Sequence, residues 1–525
     1  MTNPPQVSEV TSKPPARWWP AVFFLGLTAA AILWVRVFWD VHQQDRNIWT
    51  YLLCGVCFLC LLLWLLVLSR LPWRTRWLSL GVVLLVHVLV IAAVRIKGVD
   101  GDLVPVVEWR WKCSSTQVAT HAPAPSDQTP EAPDLVLPDG WPQFLGPHRN
   151  GQVEAIHWET DWSHHPPEEL WRIPLGAAWS GFAVAEGLAV TQEQRGPDEV
   201  VSCFDALTGR RLWTHAYAAR YANTIAGEGP RATATIDEDR VYAVGATGWL
   251  TCLELRTGTV VWAKNVVEEC GGTVPVWGYS VSPLVAGNRV ILSVGGTDGR
   301  SLLALDKHTG HSLWAAGKDQ ASYSSPILAE LGGLRHVVVF NYSSVAGHEL
   351  ESGRLLWEQP YSRAQVHVAA PLVLGGDRVL FSSGYGQGST LYAIHREEEG
   401  NWSADLVWKS RRMKAKFCNL VEHGGFIYGL DDGILACISA ETGELQWKDG
   451  RYGHGQVILA GGHLLVLAES GELVLIEPNP EEWIERFKVR IFSGKTWNPP
   501  ALTGKHLYLR TDQEAVCLRL TLEKP

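Results

Sequence analysis

The stretch CFDALTGRRLW, residues 203–213, decides the fold. It returns as CLELRTGTVVW (252–262), ALDKHTGHSLW (304–314), GHELESGRLLW (347–357) and CISAETGELQW (437–447). In each copy a glycine (Gly209, Gly258, Gly310, Gly353, Gly443) follows Thr or Ser and stands four residues before a tryptophan (Trp213, Trp262, Trp314, Trp357, Trp447). The alternating run before the turn reads as a half-buried strand. The Thr-Gly or Ser-Gly pair supplies the positive φ of a tight hairpin. The next strand ends on the indole. Trp171 (EELW) and Trp408 (DLVW) end similar strands without that turn. From Trp171 onward these tryptophans are 39–52 residues apart. Strand–turn–strand units at such a period mark a propeller or a solenoid. In a radial array each indole would wedge into the slot between neighbouring blades.

A second piece recurs between these. YSVSPLVAGNRVIL, residues 279–292, is its clearest copy, and eight such pieces lie between residues 179 and 509. Each is a strand of small residues, a polar turn and a β-branched strand, as expected of the two innermost strands of a blade. The prediction is an all-β eight-bladed β-propeller of four-stranded antiparallel blades over residues 141–525. The last copy has no closing strand of its own. The segment EELWRIPL, residues 168–175, should supply it by pairing with the strand around residues 515–520, which also removes an open sheet edge.

These repeats resemble the PQQ-like β-propeller family, whose docking motif has this glycine-to-tryptophan form. The resemblance covers roughly residues 141–520. That family includes quinoprotein dehydrogenases and the outer-membrane assembly protein BamB, so it implies the fold more strongly than an activity. The enzyme branch would require PQQ and, beside it, Ca²⁺ held by several oxygen ligands. The three residues leading into each inner strand contain no carboxylate. The adjacent cysteine pair of many quinoprotein alcohol dehydrogenases is missing too. The membrane glucose dehydrogenase branch does couple a membrane domain to a propeller, although with more helices and with long inserted loops that this chain lacks.

The N-terminal part has a different character. Apolar runs at residues 18–35, 48–68 and 77–94 are long enough to span a bilayer. Tryptophans crowd their ends like an aromatic belt. The first run is followed closely by the others and is not expected to be a cleaved signal peptide. Arg70, Arg74 and Arg76 in the second loop, with Lys13 and Arg17 in the tail, place those segments in the cytoplasm and everything after the third span outside. His87 falls within the third span and is expected to be a neutral, hydrogen-bonded histidine. The expected domains are a cytoplasmic tail (1–17), a three-helix transmembrane domain (18–95), a juxtamembrane segment and Pro/Ser/Ala-rich tether (96–140), and the propeller (141–525). Trp109 and Trp111 can sit at the membrane interface, and WPQFLGPHRNG, residues 141–151, is expected to pack on the propeller rim.

The net charge is −9, without a basic stripe, which argues against nucleic acid as a partner. Cys54, Cys57 and Cys60 lie in an apolar run and read as packing residues. Cys203, Cys252, Cys437 and Cys517 occupy matching third-strand positions and read as small fillers, while the states of Cys113, Cys270 and Cys418 stay open. The remaining candidates flank the inner strands at one channel mouth: Trp179, Arg231, Tyr279, Tyr323, His367, Lys416, His454 and Trp497. They are either ordinary rim residues, a site for a protein or peptide partner, or the place of a redox cofactor. The expectation is a multi-pass protein of the bacterial inner membrane. Its extracytoplasmic propeller would act as a protein-binding or assembly scaffold without a cofactor. The alternatives are a PQQ-dependent membrane oxidoreductase of sugars or alcohols, and an extracytoplasmic sensor.

Overall fold

The computed structural model describes residues 16–39, 41–111, 140–153, 158–362 and 366–522. The tether (residues 112–139), with Cys113, and most of the tail, with Lys13, lie outside the described residues. The chain divides into two compact units, residues 1–113 and 114–525.

In the first unit three helices are long and apolar enough to cross a membrane: Trp19–Phe38, Gln43–Leu68 and Trp73–Ala93. The first two close with one π turn each, Trp34–Phe38 and Trp64–Leu68. The second and third begin several residues earlier than their apolar runs, because their first turns carry Gln, Asp and Arg and escape an apolar count. His87 Nδ1 lies 2.9 Å from the Val83 carbonyl of its own helix, with its ring 5.5 Å from Phe58. The third helix runs directly into a hairpin of strands Val94–Val99 and Pro105–Trp109.

Among the described residues the second unit holds eight large sheets of four antiparallel strands, one of them extended by the short parallel strand Gln152–Val153, and a small two-stranded ribbon at residues 222–228. Their residues, in chain order, are 183–218, 235–265, 284–316, 327–360, 372–410, 421–451, 456–490 and 501–519. The last takes its outer strand from Glu168–Pro174, in the register Cys517↔Trp171 and Glu514↔Pro174. Ion pairs Arg172–Glu514 and Arg519–Glu168 flank that seam.

The structure gives the glycine-to-tryptophan spacing a physical cause. Five docked indoles, those of Trp171, Trp213, Trp262, Trp314 and Trp408, lie on the turn glycine of the next repeat, and these five and Trp447 each donate to a carbonyl beside the next repeat's turn. Trp171 Nε1 reaches Ala206 O at 3.0 Å, Trp213 reaches Leu255 O at 2.8 Å and Trp262 reaches Lys307 O at 3.1 Å. Trp314, Trp408 and Trp447 do the same with Leu350, Ala440 and Asn479. Gly209 has φ +68°, and a Cβ there would lie 2.8 Å from Cδ2 of Trp171. Glycine is therefore required twice, by the turn and by the ring resting on it. In most blades the indole faces a small residue across the sheet, as in Cys203↔Trp213, Ala304↔Trp314 and Cys437↔Trp447, and this accounts for the matched cysteines, whereas Trp408 faces Leu391. Trp357 departs from the pattern. Its Nε1 donates to His336 Nδ1 (3.1 Å) within its own blade, and the next blade has long strands, Gly388–Arg396 and Trp402–Ser410, in place of a Thr-Gly turn. In the seventh blade Phe487, paired with Leu475, stands where the others carry Trp.

The inner strands are joined by a belt of side-chain hydrogen bonds that passes through all eight sheets. Gly181 N donates to Thr233 Oγ1 (3.0 Å), Thr233 N to Ser282 Oγ (3.0 Å) and Ser282 N to Ser325 Oγ (2.9 Å). Ser324 Oγ then donates to Ala369 O (2.8 Å) and Ala370 N to Asn419 Oδ1 (2.9 Å). Gln456 Nε2 donates to the carbonyls of Phe417 (2.8 Å) and Trp497 (2.9 Å), and Asn498 Nδ2 closes the circle on Ala178 O and Ser180 O. Small polar residues recur in these columns because each satisfies a backbone group of the neighbouring blade.

Residues 141–151 do not pack on the rim. They cross the channel at the C-terminal ends of the inner strands. Trp141 exchanges backbone hydrogen bonds with Val184, Pro142 O accepts from Ile236 N, and Gln152 Nε2 reaches Glu422 O. Gln152–Val153 pairs in parallel with Leu459 and Ala460. Arg149, 4% exposed, donates to Ser282 O (3.0 Å) and Pro283 O (2.7 Å), and burial brings its pKa down to about 9, so it is charged at neutral pH. The segment touches the inner strands of blades on several sides of the channel, and a rim position offers no such set of carbonyls. Residues 141–153 thereby bridge blades across that end of the channel.

Candidate functional site

The open mouth lies at the opposite end, where the chain enters each inner strand. Antiparallel pairing brings the turns between second and third strands to the same face. Trp179, before the first inner strand, and Trp497, before the last, pack at 4.9 Å between ring centroids. Phe417 joins them, 5.0 Å from Trp497 and 5.6 Å from His454. Lys495 Nζ stands 3.6 Å from the Trp497 centroid and 4.8 Å from that of Trp179. Lys416 Nζ lies 5.4 Å from Phe417 and 4.8 Å from Tyr385. These are cation–π distances.

The mouth continues around the ring through Arg231. The indole of Trp179 (2.7 Å) and the Arg231 guanidinium (2.9 Å) both donate to Ala226 O. Arg231 sits 4.4 Å above Tyr221 and also donates to Gly227 O (3.1 Å). Burial lowers its pKa to about 10, against the attraction of Tyr221, Glu199 and Tyr323, and it keeps its charge at neutral pH. Tyr323 accepts from Trp277 N (3.2 Å), and burial raises its phenol pKa. Glu469 brings a carboxylate, held by Trp497 Nε1 (2.7 Å) and His454 N (2.9 Å).

Of the eight residues proposed from sequence, the structure joins Trp179, Trp497, Arg231, Lys416 and His454 in one contact network, with Tyr323 beside Arg231. Tyr279 and His367 turn inward. The Tyr279 hydroxyl bonds Val294 O in the core. His367 stacks on Phe340 at 4.3 Å, with Nδ1 2.9 Å from Ser383 Oγ and Nε2 2.9 Å from Ser362 O, and burial lowers its pKa. The backbone strand of His367 nevertheless lines a cavity of about 790 Å³ with residues 271–277, 294–297, 318–323 and Tyr342. Sequence reasoning missed Phe417, Lys495, Tyr385 and Glu469. Tyr385 and Glu469 belong to the second-to-third-strand turns, which antiparallel topology places on this face, so strand order would have been the signal.

A quinone cofactor with a hard cation does not fit this mouth. Its inner-strand columns offer hydroxyl and amide groups already bonded to neighbouring blades, and Glu469 is held by Trp497 and His454. Among the described residues no group of three His, Cys, Asp or Glu is placed to hold a metal ion.

The docked tryptophans, the four-stranded blades and the closing strand define a PQQ-like β-propeller behind three apolar helices. The chain belongs to the family described as outer membrane protein assembly factor BamB, whose profile matches residues 197–449 and 431–521. Among solved structures it is similar to a quinohemoprotein alcohol dehydrogenase (ADHIIG) from Pseudomonas putida HK5. That likeness has 12% identity and a TM-score of 0.50, over 74% of this chain and 82% of the other, and it shows the fold. BamB from Moraxella catarrhalis is similar at 16% identity and a TM-score of 0.49, over 67% of this chain and 99% of the other. No curated protein matches the sequence.

Proposed function

We propose that this protein is a membrane-anchored scaffold whose propeller binds a protein or peptide segment at its open mouth. On this reading residues 1–17 are cytoplasmic, 18–95 cross the bacterial inner membrane, 96–140 tether, and 141–525 form an extracytoplasmic propeller. The observation that carries the reading is the mouth itself. At one end of the channel residues 141–153 bond to several blades, and at the other packed aromatic rings surround Arg231, Lys495 and the nearly buried Lys416. Such a surface suits an extended segment that offers apolar side chains to the rings and carboxylates to the cations. Family membership supports the reading, since assembly of outer-membrane proteins is the role its profile is described by.

The test is site-specific photocrosslinking in cells. A photoreactive amino acid at Tyr385, on the mouth, should give a discrete protein adduct. The same group at Lys505, on the face that residues 141–153 bridge, should not. The adduct should be lost on Trp497→Ala or Lys416→Glu. Equal adducts from both faces, or an adduct indifferent to both substitutions, would refute the reading.

A further inference from the structure

The hairpin that follows the third helix is amphipathic, and its apolar side is uncovered. Its strands pair Val94↔Trp109, Arg95↔Glu108 and Ile96↔Val107. Alternation puts Ile96, Val107 and Trp109 on one face and the Arg95–Glu108 ion pair (3.1 Å) on the other. Ile96 is 66% exposed, Val107 59% and Trp109 56%, whereas Arg95 and Glu108 are partly covered. Trp111, 68% exposed, stacks on Trp109 at 5.2 Å and 18°. A two-stranded ribbon in water would not leave its largest apolar groups outward and its charges shielded unless that face met another apolar phase.

Two attachments fix where this face can be. Val94 follows Ala93, the last residue of the third helix, without an intervening loop. The hairpin tip is held at the first turn of the second helix, where Asn47, 4% exposed, donates from Nδ2 to Asp102 O at 2.8 Å. The end of the third helix and the start of the second lie at the same end of the bundle, since three consecutive spans alternate direction. That end already carries a tryptophan layer, with Trp39 and Trp49 5.5 Å apart and Trp34 60% exposed. Trp109 and Trp111 extend the layer.

We infer that the hairpin of residues 94–109 is an interfacial membrane element: it lies along the outer bilayer surface with Ile96, Val107 and Trp109 in the headgroup–acyl boundary. The occupant of the apolar face is lipid. Both ends of the hairpin are fixed at the level of the helix ends, and indole rings prefer that depth, with apolar ring inward and N–H at the headgroups. The Arg95–Glu108 side then faces water.

The experiment uses the full chain in phosphatidylcholine nanodiscs that contain nitroxide-labelled lipids. A fluorescent amino acid replaces Val107 in one protein and Leu406, an exposed residue of a propeller outer strand, in another. A nitroxide near the headgroup should quench the probe at position 107 at least ~3-fold more strongly than a nitroxide at mid-chain, and should leave the probe at 406 unquenched. Combined Ile96→Ser, Trp109→Ser and Trp111→Ser should reduce quenching at 107 to the level seen at 406. The inference is overturned if the probe at 107 is no more quenched than that at 406, whether its spectrum reports water or a dry protein contact. It is equally overturned if the triple serine protein is quenched as strongly as the parent.

Discussion

Trp171 pairs with Cys517, more than three hundred positions away, and docks on Gly209 of the first blade, so it joins the two ends of the ring and is the most informative residue to change. Trp171 is 7% exposed and packs against Phe182 and Tyr508, with ring centroids 6.5 and 6.1 Å away. An aromatic side chain of this kind buries up to ~200 Å², which at about 25 cal/mol/Å² is on the order of 5 kcal/mol as an upper bound. Truncation to Ala in a core costs about 3–5 kcal/mol, and the buried Ala206 carbonyl also loses its donor. With an unfolding entropy on the order of 0.8 kcal/mol/K for a propeller of this length, Trp171→Ala should lower the melting temperature by ~5 °C. Gly209→Ala attacks the same contact from the other side. It forces a Cβ into φ +68° and onto the indole, and should destabilise in the same direction by about 1–3 kcal/mol. The assay is hydrogen exchange on the full-length protein, which reads the strand Glu514–Arg519 directly. Both variants should accelerate exchange there before the sheet of residues 284–316 is affected. Leu406→Ala, at a residue 59% exposed, is the control and should do neither. Trp402 would be a poor control. It begins the outer strand of residues 402–410 and lies edge-on to His336 at 4.5 Å. If Trp171→Ala exchanged like Leu406→Ala at residues 514–519, the docking account of the repeat would be wrong.

Two further outcomes are expected. On the proposed topology, in which Arg70, Arg74 and Arg76 mark a cytoplasmic end of the second and third helices, a phosphatase reporter fused after Lys112 should be active and one fused after Arg74 inactive; the reverse pattern refutes it. Acid should weaken the propeller through buried histidines: burial lowers His336 to about 4, and its Nδ1 accepts from Trp357, so it is neutral when folded. Between about pH 6.5 and 4 the unfolded chain binds a proton that the folded chain does not, so stability falls as pH falls through that window, by up to ~3 kcal/mol for this one group. His336→Asn should flatten the pH dependence of the denaturation midpoint over that range, and an unchanged slope would remove His336 as its source.

What the sequence made legible and what it concealed divide along a physical line. Strand periodicity and the spacing from Gly209 to Trp213 are local, and each follows from a few consecutive residues meeting one neighbour. Blade order and the pairing of residues 168–174 with 514–519 could therefore be read from the chain. The alignment of the repeats that suggested a mouth from Arg231, Lys416 and Trp497 was also local, because all three precede an inner strand. The structure adds what depends on the ring as a whole. Tyr279 and His367 stand beside the column of Trp179, one position earlier in their strands, and turn into the core, where His367 finds Phe340 and Ser383. Residues 141–151 read as a string of turns because their strongest partners, the carbonyls of Ser282 and Pro283, lie more than 130 positions away. The small polar residues of the inner strands show the same limit from the other side. Read strand by strand, Thr233, Ser282 and Ser325 show only as small residues without a carboxylate among them. Placed side by side in a closed ring, each accepts from a backbone amide of the preceding blade, and the column becomes the hydrogen-bonded seam of the channel. The layer outside that seam is where the proposed site lies. There Trp179 and Phe417 each pack on Trp497, and Arg231, Lys416 and Lys495 stand over aromatic faces at the end of the channel opposite residues 141–153.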